Sequence, residues 1–83
     1  MSQAVKLYSL STCSHCKSTK SFLKECNIKF QYTDVDLLTG DERKSTISDV
    51  KKVNPRCSFP TIVIGETIIV GFKEDAIREA LGI

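Results

Sequence analysis

Residues 61–70 read TIVIGETIIV, two β-branched runs separated only by Gly65 and Glu66. A link of two residues closes such runs into an antiparallel hairpin. Gly at its first central position suits a type II′ turn, which needs a positive φ there. A hairpin alone is marginal in water, so the other segments must supply strands to extend it and helices to cover it.

They do so in order. Val5–Lys6–Leu7–Tyr8–Ser9 alternates and carries strand formers, giving a first strand. From Cys16 onward Thr19, Phe22, Leu23 and Cys26 recur at helical spacing, with Lys17, Lys20, Lys24 and Glu25 on the other side. This predicts a first helix that ends near Asn27. Phe30, Tyr32 and Val35 interleave with Gln31, Thr33 and Asp34 as a second strand. Leu37 and Leu38 close it and Gly40 breaks it. A second helix starts at Asp41 and Glu42, where the dipole favours negative charge. It carries the apolar stripe Ile47, Val50, Val53, has Lys51 and Lys52 in its last turn, and stops before Pro55. Ala76, Ile77, Ala80 and Leu81 form one face of a short third helix. The expected order is β-α-β-α-β-β-α in one domain over residues 1–83, an α/β chain. The first β-α-β joins parallel strands by a right-handed crossover. The hairpin adds antiparallel pairing, so the four-stranded sheet is mixed, with helices flanking both faces.

Between the first strand and first helix lies STCSHCKSTKSF, which places Cys13 and Cys16 on either side of Ser14 and His15. This is the carboxyl end of a strand in an open α/β sheet, a favoured place for chemistry. Two thiols three residues apart on a helix share a face. Their Cα atoms fall about 5–6 Å apart, within disulfide range. They are not equivalent. Cys13 precedes the first turn, where unpaired N–H groups carry a partial positive charge and favour thiolate; Lys17 and Lys20 add positive potential. Cys16 lies further in. Cys13 is therefore the attacking sulfur and Cys16 the resolving one.

Compartment decides between redox and structural pairing. No apolar run approaches the roughly 20 residues that span a bilayer, and MSQAVKLYSL lacks the features of a signal peptide. A cytoplasmic, reducing location is expected, where stable structural disulfides are rare. The net charge of +2 is small and the basic residues are scattered, so no nucleic-acid partner is expected. A monomer, free of membrane, is the expected state. A zinc site is the competing use of C-x-x-C, but it usually takes a second ligand pair. Only His15, Cys26 and Cys57 remain, at no recognised spacing. Cys26, on the apolar stripe of the first helix, reads as a small buried hydrophobe. Cys57 reads as a loop residue whose position leaves room for a third redox thiol. Tyr8 reads as packing and His15 as an exposed polar residue.

VKLYSLSTCSHCKSTKSFL resembles the opening of a glutaredoxin, and SFPTIVIGETIIVGF resembles the family's second landmark, a proline that begins the third strand. Together they span nearly the whole chain. The resemblance implies a thioredoxin-like fold in its short glutaredoxin form. It makes Cys13 the nucleophile, Cys16 the resolving thiol and Pro60 a cis-proline, with the backbone of Phe59 pairing with bound peptide or glutathione. Disulfide-containing proteins are the implied substrates, and no organic cofactor is bound. Lys17 and Arg56 are placed to meet one glutathione carboxylate. The family's glutathione signature near the last helix is a Gly-Gly followed by a polar-Asp stretch. Here VGFKEDAI keeps Gly71 and Asp75, while Phe72 stands where the second glycine would be and Lys73 replaces the usual polar pair. That variant resembles the glutaredoxin-like electron donors recharged by thioredoxin reductase. The reductant is accordingly glutathione or a protein of that type. Some members instead hold an iron–sulfur cluster between two subunits through the first Cys of each and two glutathiones. Metal or cluster handling is therefore the alternative function, and Ser14–His15 in place of the usual Pro-Tyr leaves it open.

Overall fold

The computed structural model describes residues 4–83. Met1–Gln3, the start of the segment read for a signal peptide, lie outside the described residues. Four strands, β1 (Val5–Ser9), β2 (Gln31–Asp34), β3 (Thr61–Ile64) and β4 (Thr67–Val70), form one sheet in the order β2-β1-β3-β4. β1 and β2 are parallel; β1–β3 and β3–β4 are antiparallel. The helices are α1 (Ser14–Glu25), α2 (Gly40–Val53) and α3 (Glu74–Leu81). This is the expected mixed, thioredoxin-like arrangement.

The β3–β4 turn follows from its glycine. Gly65 has φ 58°, and Glu66 is not among the described non-glycine residues with positive φ, as a type II′ turn requires. Other boundaries shift by a few residues. α1 begins at Ser14 rather than Cys16, because Cys13 is extended and serves as its N-cap. β2 ends at Asp34, and Val35 turns inward to begin a 3₁₀ turn over Val35–Leu37. α1 closes on Asn27, at φ 57°, with the Ile28 N–H donating to the Leu23 carbonyl and the Asn27 N–H to that of Lys24. Asn is one of the few residues that tolerates this left-handed cap.

One face of the sheet buries Val5 and Leu7 of β1, Ile62 and Ile64 of β3, and Ile69 of β4. Phe22 and Leu23 of α1 and Ile77 of α3 complete this core. Each fully buried aliphatic side chain contributes about 1.5–3 kcal/mol. α2 serves the opposite face: its Val50 is fully buried outside that cluster, and burial, with Asp49 adding to it, raises the pKa of the Tyr8 phenol.

Register then fixes what meets at the carboxyl end of β1. Ser9 pairs with Asp34 on one side. On the other, Tyr8 pairs with Thr61, which brings Pro60 alongside Ser9. Thr61 in turn pairs with Val70, and the Gly71 N–H donates to the Pro60 carbonyl at 2.8 Å. Asp34, Ser9, Pro60 and Gly71 thus form one row across the sheet, beside the loop that carries Cys13.

Candidate active site

Cys13 occupies the position where Ser, Thr or Asp usually caps a helix. It makes no close side-chain cap, and no acidic residue stands in the first turn of α1. The positive end of the helix is therefore left to the sulfur. Its pKa is lowered, first by a hydrogen bond from the Cys16 side chain, against some desolvation, and then by the N–H groups of Cys16 and His15. Lys17 and Lys20 are not among the groups that lower it, contrary to expectation. Lys17 is exposed, and Lys20 is committed elsewhere.

Cys16 is fully buried. Burial pushes its thiol up to about 11, and the Leu10 N–H, which donates to its Sγ at 3.4 Å, only partly offsets this. The two sulfurs are thus displaced in opposite directions. One is favoured as thiolate, and the other is kept protonated.

Two aspartates hold the surroundings. Asp36, in the 3₁₀ turn, accepts from the Ser11 N–H at 2.8 Å and from the Ser11 hydroxyl, fixing the loop before Cys13. Asp34 accepts from the Ser9 hydroxyl at 2.6 Å and from the Lys20 ammonium at 2.8 Å. Burial raises the Asp34 carboxyl, but the Lys20 and Ser9 hydrogen bonds outweigh it and the net shift is down.

The Phe59–Pro60 peptide is cis, and Pro60 is buried. Asn54, only 4% exposed, builds the loop before it. Its amide donates to the Ser58 carbonyl and hydroxyl and to the Thr61 hydroxyl, at 3.0–3.2 Å, and its own side-chain oxygen accepts from the Arg56 N–H. The Cys57 N–H donates to the Asn54 carbonyl at 2.8 Å, and Cys57 sits at φ 50°. Sequence reading passed over Asn54, although Asn before Pro is a turn signal.

Gly71, at φ 89°, meets Pro60 as described. Phe72 is half-buried rather than fully presented to solvent. Its ring packs edge-on against Phe22 at 5.9 Å, so it belongs partly to the core. The structure therefore brings Cys13, Cys16, Phe59, Pro60 and Gly71 to one end of the sheet. Phe72 lies one residue beyond, and Lys17 one residue past Cys16 on the exposed side of α1. His15 and Arg56 are exposed, Cys26 is half-buried against the core, and Tyr8 is half-buried. Among the described residues no three His, Cys, Asp or Glu side chains gather as a metal-ligand group, and no helix is long and apolar enough to cross a membrane.

The family model for glutaredoxin matches residues 5–69. The chain is 37% identical over 77 residues to an uncharacterised glutaredoxin-like 8.6 kDa protein in the rubredoxin operon of Clostridium pasteurianum, covering 93% of this chain and 96% of that one. Methanoredoxin of Methanosarcina acetivorans is similar at a TM-score of 0.93 and 46% identity, over 98% of this chain and 86% of that one. A glutaredoxin of Archaeoglobus fulgidus is similar at a TM-score of 0.89 and 37% identity, over 94% and 85%.

Proposed function

The chain belongs to the glutaredoxin family, and from that premise we propose that it is a cytoplasmic thiol–disulfide oxidoreductase working through a Cys13–Cys16 dithiol/disulfide cycle. The observation that carries this reading is the opposite displacement of the two thiols at one helix N-terminus. The Cys13 thiolate attacks a substrate disulfide and forms a mixed disulfide, and the first substrate sulfur leaves as a thiolate that takes up a proton. Cys16 then gives up its proton and attacks the Cys13 sulfur. The mixed disulfide breaks, the second substrate thiol leaves, and the Cys13–Cys16 disulfide remains. Two electrons from a reductant restore the dithiol. The Phe59 backbone, set beside Pro60, is the docking edge for the substrate chain, whether a protein or a glutathione mixed disulfide.

For the reductant, a protein of the thioredoxin-reductase type fits better than glutathione. Phe72 fills the place where a second glycine would leave room for one end of the tripeptide, and the open part of its ring offers an apolar contact. Lys17 and Arg56 remain the candidates for a carboxylate.

Two single variants test the cycle. Cys13→Ser should abolish exchange. Cys16→Ser should stop reduction of protein disulfides yet accumulate a mixed disulfide with oxidised glutathione, visible by mass spectrometry. Equal reactivity of the two would overturn the assignment. A paired NADPH-coupled assay decides the reductant: thioredoxin reductase should recharge the oxidised protein faster than glutathione with glutathione reductase, and the reverse order would refute the preference.

A further inference from the structure

The proposed cycle leaves a difficulty at Cys16. Burial raises the Cys16 thiol pKa and keeps it mostly protonated at neutral pH, yet it must attack as a thiolate. The groups around it suggest how that step is helped. Leu10 donates its N–H to the Cys16 sulfur, and the residue before it, Ser9, donates its hydroxyl to Asp34. Two consecutive residues at the end of β1 therefore tie the buried thiol to the carboxylate. Asp34 also accepts from Lys20, and the two side chains are only 15% and 19% exposed. Lys20 stands four residues after Cys16 on α1, on the same helix face. Its ammonium is 4.4 Å from the centre of the Tyr32 ring, which confines it from another side. Lys20 is thus a fixed, largely buried charge one helical turn from Cys16 rather than a mobile surface lysine.

We propose that Lys20, pinned by Asp34 and Tyr32, is a positioning residue for the resolving step, its positive charge favouring the Cys16 thiolate while Cys13 is held in a mixed disulfide. The inference rests on reading Cys16 as the resolving thiol. The charged and titratable groups that face this cluster are Cys13 and Lys20 from α1, Tyr32 and Asp34 from β2, and Asp36 from the 3₁₀ turn. Of these, Lys20 is the cation, and it stands one helical turn after Cys16 on the same face of α1. The step balances as before: the Cys16 proton passes to solvent, the Cys16–Cys13 bond forms, the bond from Cys13 to the substrate sulfur breaks, and the departing thiolate recovers a proton.

The test mixes the reduced full chain with a chromogenic aryl disulfide and follows coloured thiol release by stopped flow. The first phase is mixed-disulfide formation at Cys13, and the second is attack by Cys16. The ratio of second to first rate is read for wild type, Lys20→Met, Lys20→Arg and Asp34→Asn, with melting temperature as the folding check and Lys20→Gln as a second neutral variant. Lys20→Met should slow the second phase by about three- to tenfold and move the midpoint of its pH profile upward, since one pH unit corresponds to tenfold in thiolate. Lys20→Arg should restore most of the rate. Asp34→Asn removes the negative charge but keeps a side-chain oxygen that can accept from the Lys20 ammonium, so the positive charge stays in place and the second phase should not slow. A change below about twofold in both neutral variants overturns the proposal. So does slowing by Asp34→Asn, or a slower rate with an unmoved midpoint, because each would mean that the pair acts only by holding structure. A wild-type protein that releases a single thiol per C-x-x-C would instead refute the dithiol cycle itself.

Discussion

Asn54→Ala removes a side chain whose contribution can be worked out bond by bond. The amide has two hydrogens and faces three acceptors: the Ser58 hydroxyl at 3.0 Å, the Thr61 hydroxyl at 3.1 Å and the Ser58 carbonyl at 3.2 Å. At most two good bonds form at once. At about 1 kcal/mol net each they contribute roughly 2 kcal/mol. The Ser58 carbonyl keeps its bond from the Thr61 hydroxyl at 2.7 Å, so it is not orphaned. Arg56 is exposed, so water replaces the acceptor its N–H loses. The vacated space around a residue only 4% exposed adds a little, and the total is about 2–3 kcal/mol. For a domain of this size that lowers Tm by roughly 10–20 °C, measured by thermal circular dichroism. The loop leading to Phe59–Pro60 loosens, so KM for a protein disulfide rises, while the alkylation rate of Cys13 stays unchanged. Ser58→Ala removes one acceptor and leaves the carbonyl, so it should cause less than half of that loss. A fall in Tm below about 3 °C for Asn54→Ala would show that these hydrogen bonds do not hold the loop.

Three further outcomes follow from the same structure. The folded pKa of Cys16, about 11, lies above the ordinary 9.0, so its contribution is fully present below pH about 9 and is lost as pH rises toward about 11; Cys16→Ala should flatten the decline of Tm across that window. Cys57 holds a left-handed φ of 50°, so Cys57→Gly should be neutral or stabilise by up to about 1 kcal/mol and Cys57→Val should destabilise, while Cys57→Ser should retain turnover. Phe72→Ala removes the edge contact with Phe22 and, being half-buried, should lower stability by about 1–2.5 kcal/mol, as read by urea unfolding; it should also raise the reductase KM with little change in Cys13 alkylation.

The order of elements was legible because each carries its own period. TIVI and TIIV pair across a glycine turn, and Thr19, Phe22, Leu23 and Cys26 mark one helical face. The asymmetry of Cys13 and Cys16 was legible too, since a helix N-terminus treats its first and fourth residues differently. What the sequence hid is tertiary. Lys20 looked like one of several surface lysines on α1, and only the pairing of Ser9 with Asp34 shows where its charge goes. Asn54 was hidden for the same reason: its partners, Ser58 and Thr61, are near in sequence, but nothing local says that the amide is buried. The packing of Phe72 on Phe22 of α1 was hidden too, because spacing does not show which helix crosses beneath it.

These hidden contacts share one origin. The parallel pairing of β1 with β2 sets Asp34 beside Ser9, and the 3₁₀ turn that follows carries Asp36 to Ser11. Two carboxylates two residues apart thus hold both halves of the thiol pair. Asp36 fixes the loop that presents Cys13, and Asp34 fixes Lys20, one helical turn after Cys16. Had β2 continued through Val35 as a strand, successive side chains would have alternated faces with a period of two. Asp34 and Asp36 would then share a face, but Asp36 would stand further along an extended edge and away from the loop. The early end of β2 is therefore part of the site. Burial of Val35 turns the chain inward and brings the second carboxylate back toward the loop that carries Cys13.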